Sequence, residues 1–62
     1  MPHTEIALVE QRIRDCTARI ATQRAIIASM RAAGRDTAAA VNLLSAMESG
    51  QDIRLRRLAI IA

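Results

Sequence analysis

From residue 6 to residue 30 the inward positions of this chain step by three and four in strict alternation: Ile6, Val9, Ile13, Cys16, Ile20, Gln23, Ile27 and Met30. A helix with that spacing keeps one narrow stripe turned toward a partner, whereas a strand alternates in steps of two. Isoleucine fills every a position of the four heptads, and Gln23 is the one polar member of the row. Whatever else the chain does, it must accommodate one long amphipathic helix.

The rest of the composition agrees with helix. The 62 residues include thirteen alanines, two glycines and a single proline at position 2, and no aromatic residue. Few interruptions and high intrinsic helix propensity predict an all-α chain. A core without Phe, Tyr or Trp has to be built from smaller side chains, and a chain of this length forms one domain at most.

Helix ends can be placed from capping chemistry. Thr4 is a candidate N-cap with Glu5 beside it, favourable against the helix dipole. Gly34 falls where a left-handed C-terminal residue is wanted, and Asp36 can cap the following helix. This predicts a helix over about 4–33, a tight turn at 34–36 and a second helix over about 37–62. Gly50-Gln51-Asp52 repeats the pattern of Gly34-Arg35-Asp36, which raises the question of a second break and a third, arginine-rich helix. Length argues against it. The first helix is about 45 Å long at 1.5 Å per residue, and its N-terminal half needs cover that only a continuous second helix returns far enough to give.

The expected architecture is therefore a two-helix antiparallel hairpin, with a bend allowed near Gly50, pairing into a four-helix bundle. The second seam reads Val41, Leu44, Met47 or Glu48, Gln51, Leu55, Leu58 and Ala62, with a stutter around Gly50 that relaxes the supercoil. Folding about residue 35 sets Gln23 near Met47 and Glu48, Cys16 near Leu55, Ile13 near Leu58 and Val9 near Ile61. Gln23, Glu48 and Gln51 are then candidates for a buried polar layer that fixes register.

Two rods touching along one seam bury little apolar area for a chain this short, and Leu8, Ile26, Leu43, Ile53 and Ile60 cannot all face the partner helix. Some apolar surface is left for another molecule. A second copy is the simplest occupant, giving a homodimer with two-fold symmetry, and another helical protein is the alternative. A parallel coiled-coil dimer of the first helix fits worse, because it pairs Glu5 with Glu10 and Arg19 with Arg24.

Nine arginines, no lysine and six acids leave a net charge of +3. In the expected register Arg12, Arg14, Arg19, Arg54, Arg56 and Arg57 gather at the open end of the hairpin. Such a cluster suits phosphate contacts without sequence preference, so RNA or DNA binding is the rival reading. The run "IRLRRLAIIA" is basic and apolar together, as membrane-surface helices are, but it lacks an aromatic anchor and ranks below both.

For catalysis the sequence offers little. Cys16 is the only cysteine and His3 the only histidine, so neither an internal disulfide nor a Cys/His metal site can be assembled. There is no phosphate-binding glycine loop and no triad-like set. The expectation is a non-enzyme with no cofactor, no metal and no small-molecule substrate. With no leader-like segment and no apolar run of about 18 residues, the expected compartment is the cytoplasm.

The turn carries one likeness. "GRDTAAAVNLL", with Gly34, Asp36, Thr37, Ala40 and Leu44, resembles the G-x-D-T-x-x-A-x-x-x-L turn of a group of short bacterial helical-hairpin proteins of uncharacterised function. The likeness covers mainly residues 20–48. After Glu48 this chain departs from the pattern, Gly50 and an apolar C-terminus replacing a more polar helix. The resemblance implies a hairpin and supplies no activity.

Overall fold

The computed structural model of the chain describes residues 2–61, and side chains over 4–61. Two helices follow one another, α1 over Pro2–Ala32 and α2 over Ala38–Ile61. They lie antiparallel in a rod 49 Å long and 15 × 12 Å in section, as the sequence predicts. Helix α1 begins at Pro2, ahead of the expected Thr4 cap. Proline suits that first turn, since its fixed φ is already helical and the amide hydrogen it lacks would have no partner there. Thr4 therefore lies inside the helix. Ala62, placed on the seam by its spacing, is outside the described residues.

The turn is closed at both ends by backbone geometry. Gly34 adopts φ +72°, its amide donates to Arg31 O at 3.0 Å, and the amide of Arg35 donates to Met30 O at 2.9 Å. These are the two reversed bonds of a Schellman ending, which satisfies carbonyls that α1 would otherwise leave open. On the other side Asp36 Oδ1 accepts from the amide of Ala38 at 2.9 Å, capping α2 as expected.

Along α1 the seam follows the sequence reading. Val9, Cys16, Ile20 and Ile27 are buried, and Ile6, Ile13, Gln23 and Met30 half-buried. Along α2 it does not. Leu55 is 47% exposed, and the half-buried residue at that level is Arg54. The seam of α2 runs Thr37, Ala40, Leu44, Met47, Gln51, Arg54, Leu58 and Ile61, all buried or half-buried. These steps alternate three and four throughout, so no stutter exists, and α2 passes through Gly50 without a break. Arginine can hold such a position because its aliphatic stem packs while its guanidinium reaches water.

The register also differs from an even fold about residue 35. Gln51, not Leu55, lies against the turn of α1 that holds Cys16, with its amide on Ile13 and Thr17. Cys16 lies between Met47 and Gln51 instead of beside Leu55, so the offset is between one and two helical turns. Residues 35–37, outside both helices, account for its direction. Non-helical chain can advance about 3.3 Å per residue against 1.5 Å in a helix, so it returns alongside α1 before α2 starts counting.

The two glycines make opposite predictions. At Gly34 a side chain meets nothing within 4 Å but sits at positive φ. Gly34→Ala should therefore destabilise the hairpin by about 1 kcal/mol from backbone strain alone. At Gly50 an added Cβ lies 3.6 Å from the flexible end of Arg54, and Gly50→Ala should stabilise by about 0.5–1 kcal/mol through helix propensity. Thermal melts followed by circular dichroism should move by several degrees in opposite directions. Equal melting of Gly34→Ala and the parent chain would sink the left-handed turn.

Candidate functional site

The polar residues on the seam bond across the hairpin, each to a different place. Gln51 is buried, and its Nε2 donates to Ile13 O at 3.0 Å and to Thr17 Oγ1 at 2.9 Å. Thr17 Oγ1 in turn donates to Ile13 O at 2.8 Å, so the hydroxyl both accepts from the glutamine and bonds its own helix. Gln51 Oε1 has no partner among the described residues. Gln23 donates to Ala40 O at 2.9 Å, nearer the turn. Glu48 pairs outward with Arg24 at 3.1 Å, with both side chains well exposed. The three residues expected to form one layer are therefore separate. The offset carries Gln51 away from Gln23, which instead reaches Ala40, and Glu48 lies just off the seam that Met47 holds.

Cys16 sits on the seam as expected, its Sγ donating weakly to Met47 O at 3.8 Å. It is a buried free thiol. No group of three or more His, Cys, Asp or Glu side chains is placed to hold a metal ion among the described residues. No helix among them is long and apolar enough to cross a membrane.

Of the six candidate arginines, the structure collects some and scatters others. Arg12, Arg54 and Arg57 line one hollow with Glu5, Leu8, Val9 and Ile53. Arg19 lines the next hollow along, which Arg54 also borders. Arg57 is bound to Glu5 at 3.1 Å, so part of the charge is neutralised inside the cluster. Arg14 Nη2 donates to Gln11 Oε1 at 2.8 Å, one position past the seam residue Ile13 on the flank away from Arg12. Arg56 stands two positions beyond Arg54, on the outer side of α2. The six do not form one surface.

What the structure does bring together is apolar. Leu8, Arg12, Asp15, Arg19, Thr22 and Ile26 follow one another along a flank of α1 in steps of four and three. Leu43, Ala46, Gly50, Ile53, Arg57 and Ile60 do the same along α2. The two flanks share one side of the rod: Ile53 lines a hollow with Leu8 and Arg12, and Leu43 lines another with Arg19 and Thr22. Of the large apolar side chains left exposed among the described residues, Leu8, Ile26, Leu43, Ile53 and Ile60 stand on this side and Leu55 on the other. The spread of off-seam apolar residues was visible in the sequence. Their convergence on one side was not, because it depends on which residues of α2 form the seam.

No family model, curated protein or solved structure matches the chain.

Gln51 offers a test of what its amide does. Gln51→Ala removes two hydrogen bonds and leaves a gap, and should cost about 1–3 kcal/mol in urea unfolding. Gln51→Leu fills the space and deletes the unpartnered Oε1, so it should fall within about 1 kcal/mol of the parent or exceed it. A leucine variant no more stable than the alanine variant would mean that restored packing does not make up for the lost amide bonds at this site.

Proposed function

We propose that the hairpin is a small non-catalytic, cytoplasmic module for protein–protein interaction and oligomerisation, acting through an exposed helix face. The observation that carries this reading is the gathering of Leu8, Ile26, Leu43, Ile53 and Ile60 on one side of the rod, with Ile53 and Ile60 66% and 84% exposed. Scattered surface leucines need no explanation, but five large apolar side chains on one side of a chain this small, interspersed with Arg12, Asp15, Arg19, Thr22 and Arg57, do. Covering it removes that area from water at about 25 cal/mol per Å².

Binding of RNA or DNA through the arginines is the second reading. The hollow shared by Arg12, Arg54 and Arg57 favours it. Glu5 in the same hollow weakens it, as does the placement of Arg14 and Arg56 elsewhere. The two readings separate cleanly in purified material. The chain contains neither Trp nor Tyr, so strong absorbance between roughly 260 and 280 nm after low-salt purification comes from bound nucleic acid and would be lost at high salt.

For the interaction reading, sedimentation equilibrium over a hundredfold range of concentration should show an associating species. The double substitution Leu43→Gln and Ile53→Gln should weaken the association by about tenfold or more while the helical dichroism is kept. Association unchanged in that variant would remove this face from consideration.

A further inference from the structure

The apolar side of the rod has a symmetry in its sequence that points to its occupant. We propose that it takes a second copy of this chain, turned end for end, so that α1 lies on the partner's α1 and α2 on the partner's α2. This rests on the interaction reading above and adds the partner, the orientation and the register.

On α1 the steps of four and three are self-complementary when reversed. With the midpoint between Asp15 and Arg19 on the two-fold axis, Leu8 meets the partner's Ile26, Arg12 meets the partner's Thr22 and Asp15 meets the partner's Arg19. Apolar residues thus fall on apolar residues at both ends, and opposite charges fall together in the middle. The two-fold axis makes each of these contacts twice.

Helix α2 obeys the same axis. Within one hairpin Ile53 lies beside Arg12 and Leu43 beside Thr22. A rotation that exchanges Arg12 with Thr22 therefore exchanges Ile53 with Leu43. Leu43 then meets the partner's Ile53, and Ala46 meets the partner's Gly50, where small side chains let the two α2 backbones approach. One axis accommodates both helices, which independent placement of these residues would not guarantee.

Neighbouring registers fit α1 worse. A slip of one heptad toward the N-terminus of α1 pairs Arg12 with the partner's Asp15 but sets Leu8 against the partner's Arg19. A slip the other way drives Asp15 onto the partner's Ile26. The parallel alternative, with α1 over the partner's α2 at the same level, sets Thr22 against Leu43 and Ile26 against Ala39. The extent of the face is also adequate. A side 49 Å long and 15 Å wide projects to about 700 Å², close to the roughly 800 Å² per partner of a stable protein interface.

The test exploits the central charges. Asp15→Arg leaves arginine at both central positions, and Arg19→Asp leaves aspartate at both. Each variant alone should dimerise about tenfold or more weakly than the parent, since attractive pairs become repulsive ones across the axis. An equimolar mixture of the two should recover association as a heterodimer, because every cross-pair is then of opposite sign. Recovery on mixing separates an interface effect from altered pairing within one helix, which mixing cannot repair. Sedimentation of the separate and mixed variants, with helicity checked by circular dichroism, gives the answer. If the parent associates and Arg19→Asp associates as tightly, the interaction reading stands and this register falls. If the parent stays monomeric throughout, a second copy is not the occupant and the proposal is overturned.

Discussion

The turn over residues 35–37 sets the two helices against each other, and in that register one buried amide nitrogen, that of Gln51, finds its partners on α1. Apolar burial along a heptad seam is nearly indifferent to a slip of seven residues, because isoleucine recurs at Ile6, Ile13, Ile20 and Ile27. Gln51 Nε2 is not indifferent. It finds Ile13 O and Thr17 Oγ1 within one turn of α1, and seven residues away in either direction the place of Thr17 is taken by Glu10 or Arg24. A slip toward Arg24 would set that donor against another donor, whereas Glu10 would still accept. The apolar row makes the hairpin, the turn over residues 35–37 sets its register, and Gln51 is satisfied in that register.

In that register the two sides of the rod have different characters. On one side Arg24 and Glu48 pair across the helices at 3.1 Å, with Ala21 and Ala28 along the same flank. Such an exposed pair is worth less than about 1 kcal/mol, but it leaves that side polar and shallow. On the other side Leu43 and Ile53 of α2 come level with Thr22 and Arg12 of α1, and the surplus apolar residues of both helices join. A displacement along the axis would change which of these residues stand level, but not the side on which they stand. The exposed apolar residues share a side because each stands one position before a seam residue of its helix.

Much of this could be read from the chain directly. The α1 seam was legible because its periodicity is strict, and the turn because Gly34 and Asp36 each have a stereochemical role that other residues fill poorly. The α2 seam was misread at one step. Choosing Leu55 over Arg54 follows from treating arginine as a surface residue, and that choice then required a stutter to reconcile Gln51 with Leu55. The structure keeps regular spacing and lets Arg54 pack by its stem. The polar layer of Gln23, Glu48 and Gln51 failed for a different reason: helical residues were counted back from residue 35 as if the turn added no length of its own. The arginine cluster failed with it, since Arg14 and Arg56 turn away from the side that holds Arg12 and Arg57.

The weakness of the seam and the strength of the outer face belong together. Among the described residues the buried apolar side chains are Val9, Cys16, Ile20 and Ile27, none of them completely buried, and α2 contributes Gln51 and Arg54 at levels where a self-sufficient hairpin would carry leucine. Substituting apolar residues there would extend the inner seam and improve the isolated hairpin. A sequence that leaves its inner seam partly polar while presenting isoleucine and leucine outward distributes its apolar area between two contacts. A chain of that kind gains stability from whatever covers the second one, by mass action. On the proposed reading, folding through the seam and association through the outer face are carried by different residues and linked only through that mass action.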